Sequence, residues 1–209
     1  MDLKIFMLKE TILETSLGYS LWSAPINRSK VAAIKQMLMR CGSENKILDV
    51  GCGPGTNAGV FSGWDYVGID LNPRYIENAK AKYADKRFFC GDATSMDLEG
   101  EKFPVILINS LMHHLNDAEC RQLLDGVKPI LAENGSIIVQ EPLVPPKNQR
   151  LMRFLMAQDR GDHFRKLEVW KAMFDQNGFA IAADDFYQIK FAGLMTGWQM
   201  YSVLLKRRH

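Results

Sequence analysis

Three glycines and three acids set the chemistry open to this chain. Gly51, Gly53 and Gly55 close the apolar run from Ile47 to Gly55, and Asp49 stands just before them. Asp70 stands in the run Tyr66 to Leu71, fifteen residues after Gly55, and Asp92 follows in Phe89 to Ala93. An apolar strand running into glycines turns sharply and brings main-chain N–H groups against a ligand with no Cβ in the way. An acid at the end of the next strand suits the diol of a ribose. The pattern therefore predicts an adenosine-containing cofactor across the carboxyl ends of a parallel sheet. The glycines alone are ambiguous, because Gly53 to Ala58 also satisfies the dinucleotide pattern G-x-G-x-x-G/A. The acids decide between the readings. A pyrophosphate is repelled by Asp49, whereas a ligand carrying an ammonium and a sulfonium is drawn to carboxylates at successive strand ends.

Positioning those residues requires alternating strands and helices. Strands are expected at Lys46–Val50, Tyr66–Asp70, Arg87–Cys90, Val105–Ile108 and Ser136–Gln140. The continuous apolar run at 105–108 suits a central strand buried on both faces. Helices are expected at Asn27–Arg40, where apolar residues recur at helical spacing, at Pro73–Tyr83 and at Ala118–Leu131, with Asn134-Gly135 as the last one's stop. Thr56–Phe61 leaves room for a short helix only. Right-handed βαβ units around a mostly parallel sheet follow. Pro142, Pro145 and Pro146 open an irregular insertion, 142–166, and a helix follows at Leu167–Asn177. Phe179–Ile189 and Met195–Leu205, joined around Gly193, read as an antiparallel hairpin.

The 209 residues suit one domain, 1–209, in which 1–42 forms a helical cap segment. A net charge of +2 supplies no broad field for nucleic acid. Cys41, Cys52, Cys90 and Cys120 form no metal-ligand or disulfide pattern, so no metal is expected and reduced thiols in the cytoplasm fit. Charged residues interrupt the first apolar residues, and no run is long enough to span a membrane. Oligomeric state is not written in these residues.

The segment 47–115 closely resembles the class I S-adenosylmethionine-dependent methyltransferases. Ile47–Gly55 is similar to their glycine motif, Asp70 to the acid on the ribose hydroxyls, and Gly91-Asp92-Ala93 to the segment at the adenine amino group. Asn109 to Leu115 resembles the stretch after strand four that lies beneath the cofactor's methionine part. Glu141-Pro142 and Gln158–Arg165 look like a small bacterial type-11-like subgroup. Pro104 departs from the pattern, since many relatives have an acid there, and proline is tolerated at a strand's beginning. The resemblance implies a Rossmann-like α/β doubly wound sheet of seven strands in the order 3-2-1-4-5-7-6. It also implies S-adenosyl-L-methionine as cofactor, with S-adenosyl-L-homocysteine as product. The cofactor site is expected to comprise Asp49, Gly51, Gly53, Gly55, Asp70, Leu71, Asp92, Ala93 and Asn109.

In-line transfer of an already activated methyl group asks the protein chiefly for orientation. Where the acceptor has a proton to lose, His113 or His114 could take it, with Glu141 as second candidate. Arg28 suits the cofactor carboxylate, and Tyr19 and Trp22 suit closure over the site. Leu151, Phe154 and Leu155 recur at helical spacing in the insertion beside Arg150 and Arg153, so a basic lid over an anionic small-molecule acceptor is expected. Two rivals stand beside this reading: a nicotinamide-dependent oxidoreductase, and a methyltransferase-like binding protein without chemistry.

Overall fold

A computed structural model describes residues 29–42, 44–95, 98, 100–157, 161–190 and 197–208. Helix α1 covers 29–38. It is followed by β1 (Lys46–Val50), β2 (Asp65–Asp70), α2 (Pro73–Lys82), β3 (Arg87–Cys90), β4 (Phe103–Asn109), α3 (Asp117–Val127) and β5 (Leu131–Pro142). The chain continues through α4 (Arg150–Met156), α5 (Leu167–Gln176), β6 (Phe179–Lys190) and β7 (Gly197–Arg207). Short 3₁₀ turns stand at Ala58–Val60 and Met112–His114. The strands form one sheet in the order β3-β2-β1-β4-β5-β7-β6. The first five are parallel, β7 runs antiparallel to β5, and β6 runs antiparallel to β7.

Strand alternation sends apolar side chains to both faces, which is why helices must cover both. In β4, Val105 and Leu107 join Ile34 and Met37 of α1 and Ile76 and Ala79 of α2. Ile106 and Ile108 point the other way, to Leu123, Leu124 and Val127 of α3 and Trp170, Met173 and Phe174 of α5. Local chemistry starts the helices. Asn72 accepts from the N–H groups of Arg74 and Tyr75 with Pro73 at the first helical position, and Asn116 and Glu119 form a reciprocal capping box.

Several boundaries differ from the sequence reading. Helix α3 ends at Val127, and Leu131 already belongs to β5, paired with Phe103. The next partners are Val105 and Ser136, so Asn134-Gly135 lies in a bulge rather than at a helix stop. A Cβ on Gly135 would stand 2.7 Å from Leu131, which accounts for the glycine. Pro104 falls at the same register shift, where its missing N–H leaves no ladder bond broken. Strand β7 extends to Arg207, while Met195 and the expected turn at Gly193 lie outside the described residues.

Candidate functional site

The turn after β1 needs its glycines. Gly51, Gly53 and Gly55 have φ of 73°, 55° and 78°, a region L side chains avoid. A Cβ on Gly51 would also meet Leu111 at 3.0 Å, so the glycine turn and the segment after β4 touch. Asp70, at the end of β2, completes the turn: its Oδ2 accepts from the Gly53 N–H at 2.8 Å and its Oδ1 from the Asn72 N–H at 2.9 Å. The carboxylate thus stands at the glycine turn. Leu71 beside it is 71% exposed. Asp92 is exposed, and its Oδ1 accepts from the Thr94 N–H and hydroxyl, each at 2.8 Å. Those bonds hold its carboxyl below the usual carboxylate range and cap the turn containing Ala93.

Asp49 is fully buried. Its Oδ2 accepts from the Tyr66 hydroxyl at 2.6 Å and Asn57 Nδ2 at 3.2 Å, while Oδ1 has no hydrogen-bond partner among the described residues. Burial, against these bonds, raises its pKa to about 7. An orphaned buried carboxylate oxygen is the fit expected for a cationic ligand. Asp49 also ends a chain of aligned donors. Lys30 Nζ donates to Ser110 Oγ at 2.7 Å, and Ser110 Oγ to Asn109 Oδ1 at 3.2 Å. Asn109 Nδ2 donates to Asn57 Oδ1 at 3.2 Å, and Asn57 to Asp49. The donors all point from the ammonium to the carboxylate, so each bond polarises the next in the same sense.

The segment after β4 is clamped from two sides. Glu141 Oε1 accepts from the Leu111 and Met112 N–H groups at 2.9 and 2.7 Å, and Oε2 pairs with His113 Nδ1 at 2.7 Å. His113 is buried and stacks on Phe164 at 5.1 Å between ring centroids, whereas His114 is exposed. Gly161 packs so closely on the His113 ring that a Cβ there would stand 2.2 Å from it. From the other side, buried Arg165 donates Nη1 to the carbonyls of Met112 (3.0 Å) and His163 (2.9 Å) and Nη2 to that of Leu115 (2.8 Å). Its Nε donates to Asp117 at 2.8 Å, and its guanidinium lies over the Trp170 ring. Arg165, near the end of the insertion 142–166, is spent on structure.

The structure therefore gathers Asp49, Gly51, Gly53, Gly55, Asp70 and Asn109 at the carboxyl ends of β1, β2 and β4, with His113 and Glu141 paired beside them. Arg153 donates to the Pro145 carbonyl at 3.3 Å, and Arg150 is exposed on a seven-residue helix with Leu151 and Phe154. Tyr19, Trp22 and Arg28 lie outside the described residues. Lys30, Asn57, Tyr66 and Arg165 escaped the sequence reading. Tyr66 carried one available signal: it faces the same side of its strand as Gly68, two positions on, at the level of the glycine motif.

Comparison with known proteins falls on this core. Residues 47–135 match a family model described as a methyltransferase domain. The protein named uncharacterized methyltransferase YcgJ, from Bacillus subtilis, is 27% identical over 151 residues, 67% of this chain and 59% of its own. Trans-aconitate 2-methyltransferase from Methylobacterium radiotolerans is 32% identical over 117 residues, 53% of this chain and 43% of its own. The chain thus spans roughly half the length of these curated relatives. Among solved structures, YcgJ superposes with a TM-score of 0.68 at 18% identity, covering 85% of this chain and 99% of that one. A Leishmania major SAM-dependent methyltransferase superposes with a TM-score of 0.76 at 16% identity, over 97% and 82%. Both share its fold. Residues 47–135 are therefore similar to known methyltransferase domains, and the sheet that carries them has the fold of those solved structures.

Proposed function

We propose that the protein is an S-adenosyl-L-methionine-dependent methyltransferase acting on a small molecule and releasing S-adenosyl-L-homocysteine. The observation that carries this reading is Asp70 bonded to the Gly53 N–H across the glycine turn. Asp70 holds the ribose hydroxyls through its remaining lone pairs. Leu71 offers apolar surface to the adenine and Asp92-Ala93 a polar edge. Asp49, with its orphaned oxygen, and Asn109 face the cationic end of the ligand. The bound donor supplies an activated methyl group. Orientation is then the protein's main task, and it falls to the clamped segment 110–115.

Within that segment His113 and His114 are the candidates for moving a proton. Glu141 supports His113, fixing the ring through Nδ1. Tyr19, Trp22 and Arg28 of the cap segment 1–42, and Arg150 and Arg153 of the insertion 142–166, are the candidates for acceptor contacts within one domain, 1–209. The carboxylated acceptor named for the trans-aconitate relative supports an anionic acceptor here. A protein working in the cytoplasm without nucleic acid agrees with the near-balanced charge and with free Cys41, Cys52, Cys90 and Cys120. No helix among the described residues is long and apolar enough to cross a membrane.

Thermal melting tests the reading. A ligand that binds only the native state must raise its melting temperature. S-adenosylhomocysteine raises it and NADH does not; the reverse result would make the chain a nicotinamide enzyme. Transfer of labelled methyl from S-adenosylmethionine to small molecules separates catalysis from binding alone.

A further inference from the structure

We infer that α4 seats the protein on an anionic bilayer surface, with Leu151 and Phe154 entering the headgroup layer and Lys147, Arg150 and Arg153 meeting the lipid phosphates. The inference goes beyond the methyltransferase reading and does not depend on it. It starts from a helix that is apolar on two faces. Met152 is 3% exposed, and Met156, four positions on and so on the same face, packs against buried Ile189, Trp198 and Met200. Phe154 stands midway between the two methionines in sequence, and two residues turn a helix through roughly 200°, so it points away from that packing. It is 59% exposed, and Leu151 is 56% exposed. A helix buried all round would cover these side chains, and a solvated face would carry polar residues in their place.

Charge says what covers them. Lys147, Arg150 and Arg153 recur at every third position, and no acid occurs from Leu143 to Ala157, in a chain whose 26 bases and 24 acids nearly balance. Arg153 also donates to the Pro145 carbonyl at 3.3 Å, which ties the helix to the loop before it. An apolar face bordered by bases repels a second copy of itself and fits an anionic surface. Size then separates a bilayer from an acidic protein. A stable protein interface takes roughly 800 Å² from each side, whereas α4 has seven residues and is about 10 Å long. A bilayer asks for less. The apolar face enters it by only ~5–10 Å, and each base near an anionic leaflet adds about fivefold in affinity. The inner partners of α4 stand at the end of β6 and the start of β7, and Met200 pairs with Pro142 at the end of β5. Helix α4 thus shares the sheet edge of the glycine turn, and docking brings that edge to the lipid.

Co-sedimentation of the full chain with vesicles tests the inference. Wild type should bind vesicles of equal parts phosphatidylcholine and phosphatidylglycerol at least about tenfold more tightly than vesicles of phosphatidylcholine alone, and added salt should weaken that preference. Phe154→Asp and Lys147→Glu should each weaken binding to the anionic vesicles by about tenfold or more. Cooperative melting shows that the variants are folded; should Phe154→Asp not fold, Phe154→Ser replaces it. Equal binding of wild type to the two kinds of vesicle, or to neither, overturns the inference, and so does a folded Phe154→Asp that binds as wild type does. Poly-L-glutamate held as tightly as the anionic vesicles, and equally by Phe154→Asp, also overturns it and assigns the face to an acidic protein. Preference for anionic vesicles in a protein that takes no S-adenosylhomocysteine supports the inference and overturns the methyltransferase reading instead.

Discussion

At the ends of β1 and β2, the bonds that shape the site close over short stretches: Asp70 to Gly53 and Tyr66 to Asp49 each span 17 positions. At the ends of β4 and β5 they reach across the chain. Glu141 holds Leu111 from 30 positions away, Arg165 holds Leu115 and Met112 from 50 and 53, and Lys30 holds Ser110 from 80. The first region rests on backbone conformation, with three left-handed glycines and acids on main-chain N–H groups. The second rests on buried charge, with a carboxylate and a guanidinium gripping one short segment from opposite sides. The first region can therefore be kept by a few residues close in sequence, whereas the second depends on the whole fold arriving correctly.

Breaking the long-range clamp should have the largest effect. Arg165→Ala strands the buried Met112 carbonyl, two partly buried carbonyls and Asp117 together, and charge-assisted bonds of this kind predict a loss of roughly 3 kcal/mol. For a chain of this size that is a fall in melting temperature of about 6–12 °C. Arg165→Lys should recover less than half, because a point charge cannot serve acceptors arranged for a planar fork. A melting temperature unchanged in Arg165→Ala would show that the clamp contributes nothing.

On the donor side the sharpest handle is Asp49, whose carboxyl is raised by burial to about 7. Its pKa in the unfolded chain is near ~3.9, so the folded state binds the extra proton between those values. The ligand-free protein therefore has this group's full contribution below ~pH 4 and loses it progressively up to about pH 7. A cation beside Asp49 favours the ionised form. Donor binding should thus release protons and tighten severalfold between about pH 5.5 and pH 7.5. In Asp49→Asn both the proton release and that part of the pH dependence should vanish. Equal slopes in the two proteins would separate Asp49 from the ligand.

The smallest effect is expected at the opposite end of the strands. There Glu101 pairs with Arg87 at 2.8 Å and with Lys46 at 2.8 Å, and those bonds hold its carboxyl down to about 2. Its stabilising share is present above the ordinary carboxylate range and is lost as pH falls through that lowered value. The cluster is solvent-accessible, so Glu101→Gln should cost about 0.5 kcal/mol or less at neutral pH. Ligand affinity should not change.

The same contrast explains how much could be read from residues alone. The glycine turn, Asp70 and the strand sequence were legible because each is a local demand: left-handed backbone at 51, 53 and 55, and strand alternation with period two. The continuous run at 105–108 announced a central strand. Asn134-Gly135 misled because the pair serves a strand bulge as readily as a helix end, and only the pairing of Leu131 with Phe103 decides. Arg165 looked like one more basic residue of an exposed insertion. Its burial depends on Trp170 and on carbonyls some fifty positions away, which no local pattern encodes. Lys30 was likewise invisible beside Arg28 until the end of β4 was placed against α1.

The turn after β1, with Asp70, should bind an adenosyl ligand through its sugar. Titration calorimetry with S-adenosylhomocysteine on wild type and Asp70→Ala tests it most directly. Wild type should bind at a single site, and Asp70→Ala should bind about a hundredfold more weakly or not at all, as loss of charge-assisted bonds to both diol hydroxyls requires. Equal affinity in the two proteins would show that Asp70 holds no sugar, and no heat from wild type would show that the turn binds no adenosyl ligand.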